Sequence, residues 1–401
     1  MTLRLYEEDP FLRQFQAVVT EARSEGATTR VTLDRTAFYP GGGGQPDDRG
    51  TLGAVRVTGL EERDGVLWHL LDGALAPGAA VECALDWARR FDHMQQHTGQ
   101  HILSQAFIEV AGAETRSFHL GDAVVTIDIE HAGPDEELLS RVEERANEVL
   151  WEDRPVLTHV VDRSGVGRFQ LRKPPTVEGL IRVVEVEGFD WSACGGTHVL
   201  RSGQVGAISI LGIERYKGGT RVEFVCGGRA LRRHRDRGRL LKSLALEFTA
   251  GEADLPAAVA RLKEERDRLA RRIKPLLRES LEREAESLLA GAEPGARGRV
   301  VARYFPDRDA AEIGTLSALI AARGGVALLF AGGESPRAHF SAPPGTIHVG
   351  QVLGAVCRRH GGKGGGRSES AQGAVPRDQA SEAVATARDL AIAGTEEGMS
   401  A

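Results

Sequence analysis

The chain has 401 residues, 41% of them hydrophobic, so it is long enough for two or three domains and is not disordered throughout. A formal net charge of -6 excludes a global attraction to nucleic acid and leaves only local basic patches for such contacts. The four cysteines are widely scattered, which excludes a dense disulfide framework and favours a reducing compartment. Neither a signal peptide nor an apolar run of membrane-spanning length is evident, so a soluble, cytoplasmic protein without a membrane partner is expected.

The first predicted domain, residues 1–88, alternates short apolar stretches with turn residues. This pattern is typical of short strands and predicts a small β-barrel or a strongly curved sheet. Residues 41–46 contain four consecutive glycines and should form an irregular turn. The predicted strands are residues 17–19, 30–33, 54–57, 67–71 and 81–85.

Helical and strand patterns alternate in the second predicted domain, residues 89–228, which places it in the α+β class. Helical periodicity covers residues 88–110 and 136–151. The expected architecture is helices packed on a mostly antiparallel sheet. Its predicted strands are residues 123–129, 157–161, 181–186, 206–211 and 220–225.

A basic, helical connector is predicted at residues 229–292. Heptad spacing relates Leu262, Leu269 and Leu276, although the repeat is too short to predict a coiled coil. Pro275 lies within the same stretch and is expected to kink or end a helix there.

The last predicted domain, residues 293–401, is a smaller α/β unit. The Gly/Pro-rich residues 291–298 are expected to form a linker at its start. The whole chain is therefore expected to be α+β, in the order barrel, α+β domain, helical connector and α/β domain. The strands predicted in the last domain are residues 299–304, 326–331 and 338–341.

Three histidines and one cysteine have the spacing of a metal site. His97 and His101 are four residues apart on a predicted helix, so their rings lie on one face. Cys194 and His198 enclose two glycines that allow a tight turn. Three nitrogens and one sulfur suit tetrahedral zinc, so one Zn²⁺ per chain is predicted at these four residues. His93, four residues before His97, is a competing ligand that spacing does not exclude.

A zinc metalloprotease is the first class of enzyme to test against this pattern. Such an enzyme requires a glutamate between the two helical histidines, where it acts as the general base. Here Thr98, Gly99 and Gln100 occupy the intervening positions, and none carries a carboxylate. The protease interpretation is therefore excluded.

The two metal-binding pairs and two further segments resemble the alanyl-tRNA editing family. Residues 97–101 and 194–198 are similar to the HxxxH and CxxxH signatures of the editing domain, which occurs in alanyl-tRNA synthetases and in freestanding proteins called AlaX. Residues 33–46 resemble the family's threonine- and glycine-rich motif. Residues 361–367 and 371–373 resemble the glycine-rich signature of the C-terminal DHH-associated domain. Because the sequence begins almost directly at the editing module, a long freestanding AlaX is expected rather than a synthetase.

The resemblance implies hydrolysis of mischarged tRNA(Ala), chiefly Ser-tRNA(Ala) and also Gly-tRNA(Ala), at a zinc-containing site. It implies that Thr36 recognises the serine hydroxyl, because a site built for a hydroxyl penalises the analogue that lacks it. The backbone of Gly43 and Gly44, followed by Gln45, is expected to approach the ester and ribose of the substrate. The DHH-associated domain implies tRNA binding or self-association, so a homodimer through the connector or the C-terminal domain is a further expectation.

Two groups of basic residues are candidates for tRNA contacts. Arg232, Arg233 and Arg235 belong to a basic run that could equally be a solvated helix face. Lys363 and Arg367 accompany a glycine-rich stretch whose amides could form an anion-binding nest or a mobile loop without function. Lys363 is followed by glycine rather than serine or threonine, so the stretch is not a Walker P-loop.

The catalytic residues stay unassigned, because no serine–histidine–aspartate or catalytic-cysteine arrangement is evident; water is the simplest nucleophile. Zinc could activate that water, polarise the carbonyl or position the substrate. Four protein ligands favour a positioning or structural role unless His198 leaves the metal.

Two other functions stay open: a zinc-stabilised RNA-binding protein without catalysis, and a threonyl-type tRNA editing domain, which shares the histidine and cysteine pairs. The glycine turn and the C-terminal resemblance favour the alanyl branch.

Overall fold

The computed structural model describes residues 2–25, 28–175, 179–295 and 297–393. The chain divides into two units, Met1–Glu247 and Phe248–Ala401, and each contains both helices and strands. This mixture confirms the predicted α+β class. Every helix within the described ranges is too short or too polar to cross a lipid bilayer.

A small barrel forms the first part of the first unit. Six strands pair in the order β2, β3, β7, β6, β5 and β8 and close on themselves. Its core is filled by buried apolar side chains such as Val31, Phe38 and Leu52. The three-residue strand β5 is absent from the sequence prediction, because it is too short to show a period of two. The elements are β1 (Leu3–Arg4), α1 (Leu5–Glu8), β2 (Gln14–Glu25), β3 (Thr28–Leu33), β4 (Arg35–Thr36), β5 (Gly50–Leu52), β6 (Val55–Arg63), β7 (Val66–Leu71) and β8 (Ala80–Leu85).

Two antiparallel sheets and three helices follow within the same unit. One sheet has the strand order β14, β15, β10, β9, and the other has the order β11, β12, β13. The elements are α2 (Trp87–Ala111), β9 (Thr115–Leu120), β10 (Val125–Ile129), α3 (Glu136–Trp151), β11 (Val156–Val161), β12 (Ile181–Val186), β13 (Asp190–Ala193), β14 (Ile208–Tyr216), β15 (Gly219–Cys226) and α4 (Gly227–Glu247).

Helix α2 is the central element of this region. The side chain of Asp86 caps its first turn by accepting a hydrogen bond from the backbone of Arg89, and Gly112 ends it with a left-handed φ of 62°. Its apolar residues Met94, Leu103 and Phe107 are fully buried in the main core. Both helical histidines lie on this helix, so its packing fixes where they point.

The second unit is a six-stranded mixed sheet with helices on both faces. The strand order is β16, β17, β18, β19, β21, β20, and only β17 and β18 run parallel. Alternate residues of β18 enter two separate cores: Leu328 faces one and Leu329 the other. The elements are α5 (Leu255–Ala290), β16 (Glu293–Gly295), β17 (Gly298–Phe305), α6 (Ala310–Ala322), β18 (Val326–Ala331), β19 (Arg337–Ser341), α7 (Val349–Arg359), β20 (Lys363–Gly366), β21 (Ser370–Ala374) and α8 (Ala380–Ala393).

The later part of the chain differs from the sequence predictions in several local features. Helix α5 does not end at Pro275 but continues through it, because a helix of 36 residues retains enough hydrogen bonds on either side of the missing donor. The predicted linker, residues 291–298, contains β16, which pairs with β17. The glycine-rich stretch is not a loop or a nest over Lys363–Gly366: it is the edge strand β20, whose extended backbone pairs with β21. The predicted connector, residues 229–292, is divided, since α4 belongs to the first unit and α5 to the second.

A buried ion pair joins the barrel to α2. Arg90 is 0% exposed and Asp48 is 1% exposed. The Arg90 Nε lies 3.1 and 3.0 Å from the two Asp48 carboxylate oxygens, and its other nitrogens donate to the carbonyls of Ala37 and Pro10 at 2.6 and 2.9 Å. The same carboxylate accepts a hydrogen bond from the backbone of Tyr39 at 2.7 Å. Both charges are therefore fully paired in the interior, as buried charges require.

Replacing Arg90 with methionine should destabilise the first unit, because it leaves the Asp48 carboxylate buried without its cation. We expect the free energy of unfolding to fall by about 3–5 kcal/mol. All four tryptophans of the chain lie in this unit, so tryptophan fluorescence during urea denaturation follows its unfolding alone. Arg56→Met is the matched control, because Arg56 is 77% exposed in its pair with Asp72 and should contribute less than about 1 kcal/mol. Equal losses in the two variants would contradict the importance of the buried pair.

Candidate metal centre

The structure brings the four predicted metal ligands together. His97 and His101 lie one turn apart on α2, Cys194 directly follows β13, and His198 ends the turn after it. One ligand atom from each of the four residues lies within 4.8 Å of all the others. The three histidines are buried and Cys194 is half-buried. Local spacing predicted each pair, and the fold supplies the contact between the pairs.

The distances between the ligand atoms fit a tetrahedral zinc site. The Cys194 Sγ lies 3.4 Å from His97 Nε2 and 3.3 Å from His198 Nε2. Bond lengths of about 2.3 Å to sulfur and about 2.0 Å to nitrogen, at a tetrahedral angle, place S and N roughly 3.5 Å apart. Three imidazole nitrogens and one thiolate are also a donor set that zinc prefers. The residues present therefore fit this ion.

Gln45 orients His97. Its Oε1 accepts a hydrogen bond from the His97 Nδ1 at 2.8 Å and another from the backbone N–H of Thr197 at 3.1 Å. Its Nε2 donates to the Thr197 hydroxyl at 2.8 Å. Because a carbonyl oxygen only accepts, Nδ1 of His97 carries the proton and Nε2 is free to bind a metal.

Asp190 orients His101 in the same way. Its Oδ2 lies 3.0 Å from the His101 Nδ1, while its other oxygen pairs with Arg172 at 2.5 Å. Burial opposes ionisation of this carboxyl, but Arg172 and His101 outweigh burial and hold its pKa below its ordinary value. The carboxylate is thus available as an acceptor, and Nε2 of His101 faces the cluster.

Thr98 holds the fourth ligand. Its hydroxyl lies 3.1 Å from the His198 Nδ1 and accepts a hydrogen bond from the backbone N–H of Val199 at 3.2 Å. Burial, followed by the nearby His97, lowers the pKa of His198 to about 3, which keeps its ring neutral. A neutral imidazole is the form that binds a metal.

The electrostatics around Cys194 favour its thiolate. Burial opposes ionisation of the thiol, but His97 and His198 reverse the balance and hold the pKa of Cys194 well below its ordinary value. The Arg182 guanidinium donates to the carbonyls of Cys194 and Gly196 at 3.1 and 2.6 Å and so fixes the turn that carries the sulfur. A thiolate is the form of cysteine that binds zinc.

Gly196 is required by the close approach of the turn to His97. A Cβ atom at this position would lie 2.2 Å from the His97 Cε1 and 2.9 Å from the Gln45 Oε1. A Cβ atom at the neighbouring Gly195 would meet nothing within 4 Å. Only the second glycine of the pair is therefore constrained by sterics.

The four-glycine segment forms a tight turn beside the cluster. Gly42 and Gln45 exchange two backbone hydrogen bonds of 3.0 Å around Gly43 and Gly44. The φ angles of these two central residues are 56° and 88°, a conformation that favours glycine. Gly44 lies against the ring of Phe118, which in turn stacks on His97 with 5.2 Å between ring centroids. The turn thus positions Gln45 and closes one side of the metal centre.

A cavity of about 660 Å³ opens over the cluster. Its wall includes Gly43 together with His97, His101 and Cys194. Among the described residues, the charged side chains on the wall are more often basic than acidic, and Arg4, Arg116 and Arg172 are each paired with a carboxylate. The basic side chains are those of Arg4, Arg116, Arg172, Lys173 and Arg182, and the acidic ones are those of Glu7 and Glu114.

Two of the residues assigned to the substrate from the sequence, Thr36 and Gln45, are buried and have partners within the protein. Thr36 is 0% exposed, its hydroxyl lies 2.9 Å from His69 Nε2 and accepts from the backbone of Phe38, and it is not part of the cavity wall. Its hydroxyl faces the barrel interior. Gln45 is 2% exposed and its amide is engaged by His97 and Thr197, so it supports a ligand instead of meeting the substrate.

The other candidate residues are not members of the group of metal-binding residues. His93 is buried but is not among the grouped metal-binding atoms of the described residues, and burial lowers its pKa to about 4. The tRNA candidates are all exposed: Arg232, Arg233 and Arg235 on α4 of the first unit, and Lys363 and Arg367 at the β20 hairpin of the second.

Sequence reasoning missed the roles of Asp190, Thr98 and Arg182. Each is an isolated polar residue whose partner is distant in the sequence, so no spacing signals it.

Two parts of the chain match known domain families. Residues 181–223, which include Cys194 and His198, match the threonyl and alanyl tRNA synthetase second additional domain. Residues 297–393 match the DHHA1 domain.

Longer similarities extend over most of the chain. Alanine–tRNA ligases of Korarchaeum cryptofilum and Methanoculleus marisnigri are 33% and 34% identical over 95% and 94% of this chain. The alanyl-tRNA editing protein AlaX-L of Pyrococcus horikoshii is 35% identical over 58% of this chain and 59% of its own length. The chain spans only 44% and 42% of the two ligases.

Replacing Gly196 with alanine should weaken zinc binding, because the added methyl group overlaps the His97 ring and turns it away from the cluster. We expect a loss of about tenfold to a hundredfold in affinity, the usual effect of disturbing a residue that orients a ligand. Competition with a chelator of known affinity measures it. Gly195→Ala is the matched control and should bind zinc as the wild type does; equal affinity in both variants would refute the steric argument.

Proposed function

Because this chain is an AlaX-like protein related to domains of alanyl-tRNA synthetase, we propose that it deacylates mischarged tRNA(Ala). The substrates are Ser-tRNA(Ala) and Gly-tRNA(Ala), and the reaction is hydrolysis of the ester between the amino acid and the terminal ribose. The observation that carries the proposal is the group of four metal-binding residues, three of which (His97, His101 and Cys194) line a cavity.

The cavity suits the aminoacylated end of a tRNA. Its volume of about 660 Å³ lies within the roughly 300–1,000 Å³ typical of small-molecule sites. Lys173 on the wall, which forms no ion pair within the described residues, supplies positive charge for the phosphates next to the terminal adenosine. The Gly43 backbone, which has no side chain, lets the ester approach the cluster closely.

The four residues would hold one zinc ion through His97 Nε2, His101 Nε2, Cys194 Sγ and His198 Nε2. When bound, zinc supplies a fixed positive charge that orients and polarises the ester. Gln45 and Asp190 keep Nδ1 of His97 and His101 protonated and so leave Nε2 of each ring for the metal, while Thr98 contacts Nδ1 of His198. Phe118 and the glycine turn cover one side of His97 and limit the access of bulk water.

A second basic surface supports binding of the tRNA body. A cavity of about 550 Å³ beside α4 is lined by Arg229, Arg232, Arg233 and Arg237, together with two aspartates. Arg229 forms an ion pair with Asp92, whereas Arg233 and Arg237 form no ion pair within the described part of the chain. These two side chains are free to meet RNA phosphates.

Deacylation should depend on Cys194. We expect release of labelled serine from Ser-tRNA(Ala), with Ala-tRNA(Ala) spared in parallel, and we expect Cys194→Ala to lose both zinc and this activity. Cys83→Ala, which changes a barrel cysteine outside the cluster, is the matched control and should keep both. Retained hydrolysis in a zinc-free Cys194→Ala variant would overturn the proposal. Zinc and tRNA binding without cleavage would indicate the non-catalytic RNA-binding function, and cleavage of mischarged tRNA(Thr) the threonyl branch.

Arg233→Ala should weaken tRNA binding and reduce its dependence on salt. Loss of one phosphate contact lowers the slope of log affinity against log salt concentration by about 1. Titration of labelled tRNA(Ala) at several salt concentrations measures this slope. Arg141→Ala, which removes an exposed arginine from α3, is the control and should leave the slope unchanged. The same slope in the wild type and Arg233→Ala would exclude this surface from the tRNA interface.

A further inference from the structure

The side chain of Gln100 presents a fixed amide at the cavity wall. Gln100 lies on α2 between the two helical ligands His97 and His101, is 6% exposed, and lines the cavity. Its Nε2 donates to the Ser104 Oγ at 2.8 Å, and the same oxygen accepts from the Thr115 hydroxyl at 2.8 Å. The amide is therefore held in one orientation by two further buried residues.

The oxygen of this amide has no partner in the protein. Gln100 Oε1 accepts no hydrogen bond within the described part of the chain. It is also absent from the enclosed, unpaired side-chain atoms of those residues, so it faces open space instead of apolar packing. A carbonyl oxygen in this position accepts a hydrogen bond from any donor that enters the cavity.

The hydroxyl groups of the other uncharged polar side chains on the wall donate their protons to partners in the protein. The Thr115 hydroxyl donates to Ser104, the Ser117 hydroxyl donates to Asp128 at 2.5 Å, and the Ser192 hydroxyl donates to Asp190 at 3.1 Å. Among the uncharged side chains that line the cavity in the described ranges, Gln100 therefore offers the one carbonyl acceptor without an internal partner.

We propose that Gln100 is the residue that reads the side-chain hydroxyl of a seryl ester, the role expected of Thr36 from the sequence. This inference rests on the proposed deacylation. A seryl group donates its hydroxyl proton to Gln100 Oε1, whereas an alanyl group of nearly the same size fills the same space and leaves that oxygen buried without a donor. A site built around such an acceptor rejects the analogue that lacks the hydroxyl. Gln100 thus favours Ser-tRNA(Ala) over the correct product, Ala-tRNA(Ala).

The test is the ratio of kcat/KM for Ser-tRNA(Ala) to that for Ala-tRNA(Ala), measured with zinc-loaded full-length protein. Gln100→Leu keeps the bulk of the side chain and removes the acceptor, and we expect the ratio to fall by about tenfold or more. Gln105→Leu makes the same change on the same helix away from the cavity wall and should leave the ratio unchanged. Zinc content and circular dichroism are recorded for each variant.

A second variant keeps the test decisive if Gln100→Leu loses zinc. Ser104→Ala retains the Gln100 carbonyl but releases the amide from its anchor, and the ratio should fall by about threefold with zinc retained. An unchanged ratio in both variants, with Ser-tRNA(Ala) still cleaved, would overturn the role of Gln100 and leave the deacylase function intact. Equal slowing of the seryl, glycyl and alanyl esters would also overturn it, because it would indicate a contact to a group common to all three. A wild-type protein that cleaves none of them would instead refute the deacylase function itself.

Discussion

The buried pair of Arg90 and Asp48 is the interaction on which the geometry of the metal centre depends. Arg90 is on α2, the helix that carries His97 and His101. Asp48 directly follows the glycine-rich segment of the barrel that contains Gln45. Neither charge can be solvated in the interior, so the ion pair has to stay intact. The intact pair fixes the distance between the barrel and α2. The hydrogen bond from the His97 Nδ1 to the Gln45 Oε1 becomes possible because this contact holds the two segments in register.

Each histidine of the centre is oriented from a different part of the fold. The hydrogen-bond partner of His97 is Gln45 from the barrel segment, and that of His101 is Asp190 on β13. The partner of His198 is Thr98 on α2. The rings are therefore held in a metal-binding arrangement by the protein alone, and little ordering is left for the moment of binding. Helix α2 also contributes to the cavity wall. Within one turn it carries Thr98, which supports His198, and Gln100, which lines the cavity.

Features encoded within a few residues could be predicted, and features that depend on distant partners could not. The bounds of α2 and α3 follow from apolar periodicity and from caps such as Asp86, and the two ligand pairs follow from their spacing. Thr36 lies in a recognisable motif, yet only the closed barrel shows that its hydroxyl points inward to His69. Strand β20 is specified by its neighbour β21, since three glycines carry no pattern of their own. Asp190 has no signal in the sequence because its partners come from α2 and from the segment before β12.

The order of the ligands along the chain has a consequence for biosynthesis. His97 and His101 are translated well before Asp190, Cys194 and His198. While the chain is still growing, the helix with two imidazoles can form, but the acceptor for His101 and half of the coordinating atoms do not yet exist. All four residues can therefore hold a metal ion together only at a late stage of synthesis, after β13 and the turn that follows it have left the ribosome.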